Sequence, residues 1–474
     1  MIRLGFWKRN EDAPSYPEQL ILQEADLVKQ FNELTEKQRL YQNREAALKE
    51  MRKTRLAESK LKRKEKKLLR VQQKEEKAKN WKERNAKLIT FLGEGVSNRL
   101  NETDHNTERL SKHGLTPFSS EEELAEAMGI TVSELRFLSF SREVSAINHY
   151  RKFNIPKKTG GSRTISAPMP RLKSAQHWIL ESVLNKLELH EAANGFVRKK
   201  SIVTNAQPHL QSDVLLNLDL KDFFPSISYP RVKGLFKSLG YSEKFATIFA
   251  IICTEPETDE VELDGKRYFV AVSERKLPQG APTSPAITNL ICRKLDARLL
   301  GLSKKYDFLY TRYADDLTFS AKGDASKQAH QLLSNIRKIL KDEDFVLHPE
   351  KLKILRKGNR KEVTGIVVND KLGVDAKELD RFRALLYQIE KEGTLQGKHW
   401  NNARNLLPSI QGYANFVYMV DPIKGLPLKT RVKAILIKHD FKHQIRHKPK
   451  SQQTKEQQEA LKNAPDKKPW WKFW

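Results

Sequence analysis

The sequence predicts a mixed α+β protein of several modules, in which a core of helices and strands follows a long basic helical arm. Three observations lead there. The chain has 474 residues, too many for one ordinary domain. From about residue 119 onward, segments with helical spacing of apolar residues interleave with short β-prone runs bounded by turn residues. Lysine and arginine number 87 against 59 aspartates and glutamates, a balance of +28.

The arm comes first. Between Pro17 and Gly93 there is no further proline or glycine, and Glu, Lys, Gln, Leu, Ala and Arg dominate, so the segment reads as long helix. From Arg44 to Lys87 there are 18 basic and 7 acidic residues, a surplus of 11. The apolar positions Leu48, Met51, Leu56, Leu61, Leu68, Leu69 and Val71 hold no clean heptad, which favours a basic arm or helical pair over a dimeric coiled coil. Residues 94–117 are polar and read as a linker that closes an N-terminal extension at 1–117.

The compact region follows. Ser119 and Glu122 have the spacing of a capping box, and Gly129 ends that short helix. Leu172, Ala175, Ile179, Val183 and Leu187 mark an amphipathic helix. Strands are expected at 214–220, 308–321 and 363–369, with a hairpin turned by Asp264-Gly265 between the first two. A later helix is capped by Asp375, with Glu378 closing its box and Gly393 stopping it. Residues 445–474 are too polar to fold alone, yet they end on Trp470, Trp471, Phe473 and Trp474. That cluster reads as a docking patch, and Lys467, Lys468 and Lys472 keep stacking on nucleic acid open.

The positive balance points to a polyanionic partner, with a lysine-rich surface that serves solubility as the competing explanation. Cys253 and Cys292 lie far apart without metal-ligand spacing, so a reduced, cytoplasmic protein is expected. No apolar run approaches the roughly 18 residues of a membrane span, so no membrane partner is expected.

Chemistry enters with "YTRYADDLTFSA" at 310–321, where Asp315 and Asp316 interrupt a β-prone run. Alone, such a pair is explained by a solvated turn. A second carboxylate, Asp219, ends the apolar strand "LNLDL". Three carboxylates held together repel unless a cation neutralises them, and oxygen donors without His or Cys suit Mg²⁺. Two such ions serve phosphoryl transfer in polymerases and nucleases.

"YADD" at 313–316, Asp219 within "DLKDFF" and "LPQGAPTSP" at 277–285 resemble the three signature motifs of reverse transcriptases, in the family's order. The resemblance extends over roughly 120–440. It includes "YRKFNIPKKTGGSRTISAP" at 150–168 and "PEKLKIL" at 349–355. "NAQPH" at 205–209 and "VTG" at 363–365 are similar to the N-A-x-x-H and V-T-G elements of retron reverse transcriptases. The resemblance implies a right-hand polymerase with fingers at 118–212, palm at 213–373 and thumb at 374–444.

It also implies roles. Asp219, Asp315 and Asp316 would hold the two Mg²⁺ ions, with Asp315 weighted over Asp316 because adjacent strand residues point to opposite faces. Lys351 would protonate the pyrophosphate. Lys157, Lys158 and Arg163 would grip the triphosphate of a deoxynucleoside triphosphate. Phe224 would exclude a 2′-hydroxyl, and Gln279 and Gly280 would contact nucleotide and template. Asn205 and His209, with Val363, Thr364 and Gly365, would recognise RNA. Phe224 otherwise reads as a core aromatic and His209 as a structural histidine.

A retron enzyme implies a cognate structured noncoding RNA as template and primer and a guanosine 2′-hydroxyl start. Its DNA product would be part of a branched RNA–DNA hybrid. It further implies template removal by a host ribonuclease H, and an effector protein in anti-phage defence. Another bacterial reverse transcriptase, of group II intron or abortive-infection type, and a non-catalytic RNA-binding scaffold are the alternatives.

Overall fold

The computed structural model describes residues 16–156, 160–401 and 403–441. Lys157, Lys158 and the aromatic tail at 445–474 lie outside these residues. Residues up to Leu88 form one unit and residues from Ile89 a second.

The first unit holds α1 (Tyr16–Gln42) and α2 (Arg44–Lys87), a helical pair. The chain breaks between them at Asn43, whose side-chain oxygen accepts from the N–H of Ala46 at 3.3 Å. Asparagine there exchanges helix continuation for a cap. From Leu48 to Glu83 every side chain of α2 is exposed.

The second unit starts well before residue 117, so 94–117 is not a linker. Ile89, Leu92, Leu100, Leu110 and Leu115 are buried in the main core, and α3 (Thr107–Lys112) lies within the segment. The Ile89 N–H donates at 2.8 Å to the buried carboxylate of Glu121, which also pairs with Lys244 at 2.5 Å. These apolar anchors follow neither helical nor strand period, so polarity dominated the sequence pattern.

Next come α4 (Glu121–Ala127) and α5 (Val132–Leu138), then β1 (Val144–Ser145) and the hairpin β2 (Tyr150–Pro156) and β3 (Ser162–Pro168). The cap of α4 sits one residue later than expected. Ser120 accepts from the Glu123 N–H at 3.2 Å, while Ser119 donates to the Glu123 carboxylate. Gly129 ends the helix at φ +69°. In α6 (Pro170–Ser182) the expected stripe is buried, and it continues past the helix end through Val183 and Leu187.

After α7 (Ile202–Ala206) come β4 (Val214–Asp219), α8 (Tyr229–Ser238), α9 (Glu243–Cys253) and the hairpin of β5 (Thr258–Leu263) and β6 (Lys266–Ala271). The β5–β6 turn has φ +51° at Asp264 and +68° at Gly265, the type I′ signature that Asp-Gly predicts. Then follow α10 (Ser284–Ile291), α11 (Arg293–Lys305), β7 (Leu309–Tyr313), β8 (Asp316–Ala321), α12 (Ala329–Asp342) and β9 (Lys353–Arg356).

The expected strand at 363–369 is instead a tight hairpin of β10 (Glu362–Val363) and β11 (Ile366–Val367). Thr364 at φ +45° and Gly365 at +84° reverse the chain inside the "VTG" motif.

The chain continues in α13 (Ala376–Glu392), α14 (Leu406–Val420) and α15 (Pro422–Lys438), which share a separate core around Phe382, Leu386, Trp400 and Val432. Asp375 caps α13 as expected. Glu378 instead binds Asn401, so that box is half built, and Gly393 ends the helix at φ +70°. Among the described residues no helix is long and apolar enough to cross a membrane.

The element that positions the site is an antiparallel sheet in the order β7-β8-β4-β9. Its strands alternate, as a period of two requires. Val214, Leu216 and Leu218 of β4 join Leu317, Phe319 and Ala321 of β8 in the main core. The intervening residues of β8, Asp316, Thr318 and Ser320, pair in register with Asp219, Asn217 and Leu215 on the other face.

Candidate active site

The β7–β8 hairpin pairs Tyr313 with Asp316 and leaves Ala314 and Asp315 as a two-residue turn. Ala314 adopts φ +56°, a left-handed conformation unfavourable for a residue with a Cβ and held only where surroundings dictate it. Asp219 is the direct register partner of Asp316. The Leu220 N–H donates to the Asp315 carbonyl at 3.0 Å, and the His348 N–H to that of Asp219 at 2.8 Å. The strand-alternation reason for weighting Asp315 over Asp316 therefore fails. Asp315 belongs to the turn, and Asp316 faces Asp219 across the ladder.

Arg312 anchors this hairpin from below. Fully buried, it forms two bonds to the equally buried Asp296, at 2.8 and 2.7 Å, and donates to the Ala314 carbonyl at 3.2 Å. Tyr310 donates to the same carboxylate at 2.8 Å. Arg312 also donates to Asn289, whose amide donates to the Gly195 carbonyl at 2.9 Å. Gly195 lies flush against the turn: a Cβ there would stand 2.5 Å from the Ala314 nitrogen. Sequence reasoning missed Arg312, Asp296, Asn289 and Gly195. The one available signal was an arginine inside a β-prone run, since buried arginines require a carboxylate partner.

The carboxylates share one electrostatic neighbourhood. Burial, followed by the charge of Asp219, raises the proton affinity of Asp315, while Lys351 and Arg163 oppose the shift. Asp316 has an accessible edge, but its concave surroundings displace water. That desolvation first, then the charges of Asp315 and Asp219, push its carboxyl up to about 7. Lys351 donates to Asp219 at 2.8 Å, so the structure does bring the predicted lysine to the carboxylates. Arg163 stands exposed on β3, opposite Ile155.

Phe224 is half-buried, with its ring 5.6 Å from that of Phe223 and 6.4 Å from that of Phe196. Phe196 follows Gly195 and is a further residue that sequence reasoning missed. It is 60% exposed and held at φ +59°, a strained conformation for a bulky side chain. Gln279 accepts through its carbonyl from the Ser166 N–H at 2.8 Å. Gly280, at φ +133°, is required by the protein itself, because a Cβ would meet the Ser166 carbonyl at 2.8 Å. Its close approach is to β3, so the fold alone already requires glycine here.

"NAQPH" and "VTG" meet, but inside the protein. His209 is fully buried, and its ring bonds Ser320 at 2.7 Å and Thr311 at 2.8 Å. Thr311 spends its hydrogen on the Asn205 carbonyl, so His209 Nε2 donates to Thr311 and Nδ1 accepts from Ser320. Burial pushes the imidazole down to about 3, which keeps it neutral. Asn205 is equally buried, with its amide 3.5 Å from the Thr364 hydroxyl. Val363 is buried beside Ala206, while Thr364 is half-buried and Gly365 exposed at the turn. As side chains that touch RNA, Asn205, His209 and Val363 are ruled out by burial. They join α7, the four-stranded sheet and the β10–β11 turn, and of the five only Thr364 and Gly365 offer a surface.

This geometry has relatives. The sequence model of the family described as reverse transcriptase (RNA-dependent DNA polymerase) matches residues 155–378. The retron Mx162 reverse transcriptase of Myxococcus xanthus is 43% identical over 353 residues, 71% of this chain and 72% of the relative. The retron Mx65 reverse transcriptase of the same organism is 38% identical across 69% of this chain and 74% of the relative. For the retron Ec86 reverse transcriptase of Escherichia coli the identity is 32%, across 67% and 89%. A carboxylate-bearing hairpin on an antiparallel sheet, together with identity over most of each relative, makes this chain a member of the retron-type reverse transcriptases, RNA-directed DNA polymerases of right-hand fold.

Proposed function

We propose that the chain copies a dedicated structured noncoding RNA into DNA from a guanosine 2′-hydroxyl and so produces a branched RNA–DNA hybrid, multicopy single-stranded DNA. The supporting observation is the register pair Asp219–Asp316 with Asp315 in the adjoining turn, flanked by Lys351 and Arg163. The fingers comprise 118–212 with the β2–β3 hairpin, the palm 213–373 with the catalytic sheet, and the thumb 374–444 with α13–α15.

The donor set fits a hard divalent cation: clustered carboxylates that resist ionisation, without His or Cys. Among the described residues no three His, Cys, Asp or Glu side chains are already gathered so as to hold a metal ion, and Asp219 spends one oxygen on Lys351. Asp219, Asp315 and Asp316 would hold two Mg²⁺ ions, which when bound neutralise charge on the attacking hydroxyl and the leaving phosphate.

The protein's own groups do the rest. Arg163, with Lys157 and Lys158, binds the triphosphate of the incoming deoxynucleotide, where a guanidinium fork matches phosphate oxygens. Phe224 closes against the sugar, and the loop bearing Gln279 and Gly280 borders the nucleotide. The primer hydroxyl gives its proton to solvent and attacks the α-phosphate, the bond to pyrophosphate breaks, and Lys351 releases Asp219 to give its proton to the departing oxygen. Asn205, His209 and Val363 serve the cognate RNA indirectly, by positioning the turn that exposes Thr364 and Gly365. Host ribonuclease H, a cytoplasmic setting and an effector protein in anti-phage defence complete the reading, on family membership alone.

The test is to express the chain with its neighbouring noncoding RNA and isolate the nucleic acid that copurifies. Wild-type protein should carry DNA joined to RNA through a 2′-linkage that debranching enzyme opens. The Asp315→Ala, Asp316→Ala protein should carry RNA only. DNA made by the double variant would refute the catalytic assignment, and DNA without the 2′-linkage would refute the retron product.

A further inference from the structure

Helix α2 sorts its charges by face. Each residue of an α-helix is turned about 100° from the last. Arg52, Arg55, Lys62, Arg63, Lys66 and Arg70 therefore fall on one side of the rod. Six of the seven glutamates, Glu50, Glu58, Glu65, Glu75, Glu76 and Glu83, fall in a strip on the other side, which Lys79 interrupts and Lys53, Lys64 and Lys82 border. Several repeats of seven keep one sign, Arg55 with Lys62, Arg63 with Arg70, Glu58 with Glu65 and Glu76 with Glu83, while Glu45 with Arg52 and Glu75 with Lys82 change it. The helix runs 44 residues without a proline or glycine, and among the described residues nothing covers it from Leu48 to Glu83. At about 1.5 Å per residue it is roughly 66 Å long, close to two turns of a nucleic-acid duplex.

Its other properties narrow the partner. Leu48, Leu56, Leu61 and Leu68 are scattered around the rod. No apolar seam exists for a coiled coil, and no apolar face for lying in a membrane. What remains is a broad cationic surface beside a narrower glutamate strip, with an excess of 11 positive charges along the helix. We propose that α2 is a docking rail for base-paired nucleic acid, whose phosphates lie along the arginine and lysine face while the glutamate face points away. This goes beyond the polymerase reading, since α2 takes no part in the chemistry.

The test uses the full chain and a blunt RNA duplex of about 20 base pairs, with affinity measured by fluorescence anisotropy across a salt series. One variant changes Arg52, Arg55, Lys62, Arg63, Lys66 and Arg70 to Gln, a good helix former. A second changes Glu50, Glu58, Glu65, Glu75, Glu76 and Glu83 to Gln, the same number on the other face. The first should bind at least about tenfold more weakly at low salt, with a salt slope shallower by roughly 3–5, as loss of up to six phosphate contacts requires. The second should keep the slope. Both should extend a short primed template at the wild-type rate and keep helix content by circular dichroism.

An unchanged slope in the first variant overturns the proposal. So does a second variant whose affinity rises by as much as the first one's falls, because net charge rather than a face would then govern. A first variant that only converts a dimer to monomers by sedimentation, with duplex binding intact, would mean that arms pair with one another instead. A parallel series with an RNA–DNA hybrid distinguishes template stem from product as the natural occupant.

Discussion

Arg312 and Asp296 form a fully buried, two-point ion pair directly beneath the turn that carries Ala314 and Asp315. The same guanidinium reaches the Ala314 carbonyl, so one side chain ties a strained turn to α11. Removing one partner strands a buried charge at a cost of about 3–5 kcal/mol, whereas removing both can be close to neutral. Arg312→Met should therefore lower unfolding stability by about 3–5 kcal/mol in denaturant titrations. The double variant Arg312→Met, Asp296→Leu should recover much of that stability and still fail to synthesise DNA, because the turn has lost its donor.

The rings of Phe196 and Phe224 stand 6.4 Å apart, and Phe196 follows Gly195, which lies against the Ala314 turn. Phe224→Ala should raise ribonucleotide incorporation relative to deoxyribonucleotide by roughly 10–200-fold, the range a single apolar contact controls. Phe196→Ala should raise the KM for nucleotide or primed template with little change in kcat, and Phe196→Tyr should restore it, as stacking requires. Single-nucleotide extension assays separate these outcomes.

Asp316 links the site to pH. Its folded carboxyl holds a proton up to about 7 against an ordinary value of 3.8, so the metal-free fold loses the associated stability as pH rises through that window. Divalent cation binding runs the other way, because the cation needs the ionised form. Calorimetry in buffers of different ionisation enthalpy should show proton release on Mg²⁺ binding below pH 7 that fades above it. Apparent affinity should rise with pH and then level off. Asp316→Asn should reduce the release, leaving the share of Asp315, and also abolish DNA synthesis.

His209 acts in the opposite sense. Its imidazole is neutral and held down to about 3, so the stabilisation it gives is fully present above its ordinary value of 6.5 and lost as pH falls toward 3. The slope is on the order of 1.4 kcal/mol per pH unit in that interval. His209→Gln should flatten the acid limb of a stability-against-pH profile, and it should do so without changing the pH dependence of Mg²⁺ binding.

The three aspartates were legible because charge in an apolar strand is a conflict that function resolves, and their motifs are contiguous in sequence. Arg312 lies in that same motif, yet its partner Asp296 is on a preceding helix, and nothing local announces a buried pair. "NAQPH" could be read as letters but not as burial, since His209 meets Thr311 and Ser320 only through the fold. Residues 89–117 and the "VTG" turn were missed for a shared reason. Irregular backbone carries no period, and a β-branched threonine at positive φ contradicts its own propensity.

The register that sets Asp219 opposite Asp316 also fixes how this protein can diverge. A one-residue slip of β8 against β4 would bring Leu317 to that position and turn every carboxylate and hydroxyl of the strand toward the main core. Between Tyr310 and Ala321 the chain is therefore free to exchange many side chains but not to gain or lose a residue. α2, exposed from Leu48 to Glu83, can absorb whole heptads of insertion. Variation in size among related chains should accordingly collect in arms and loops, while the catalytic hairpin keeps a constant count.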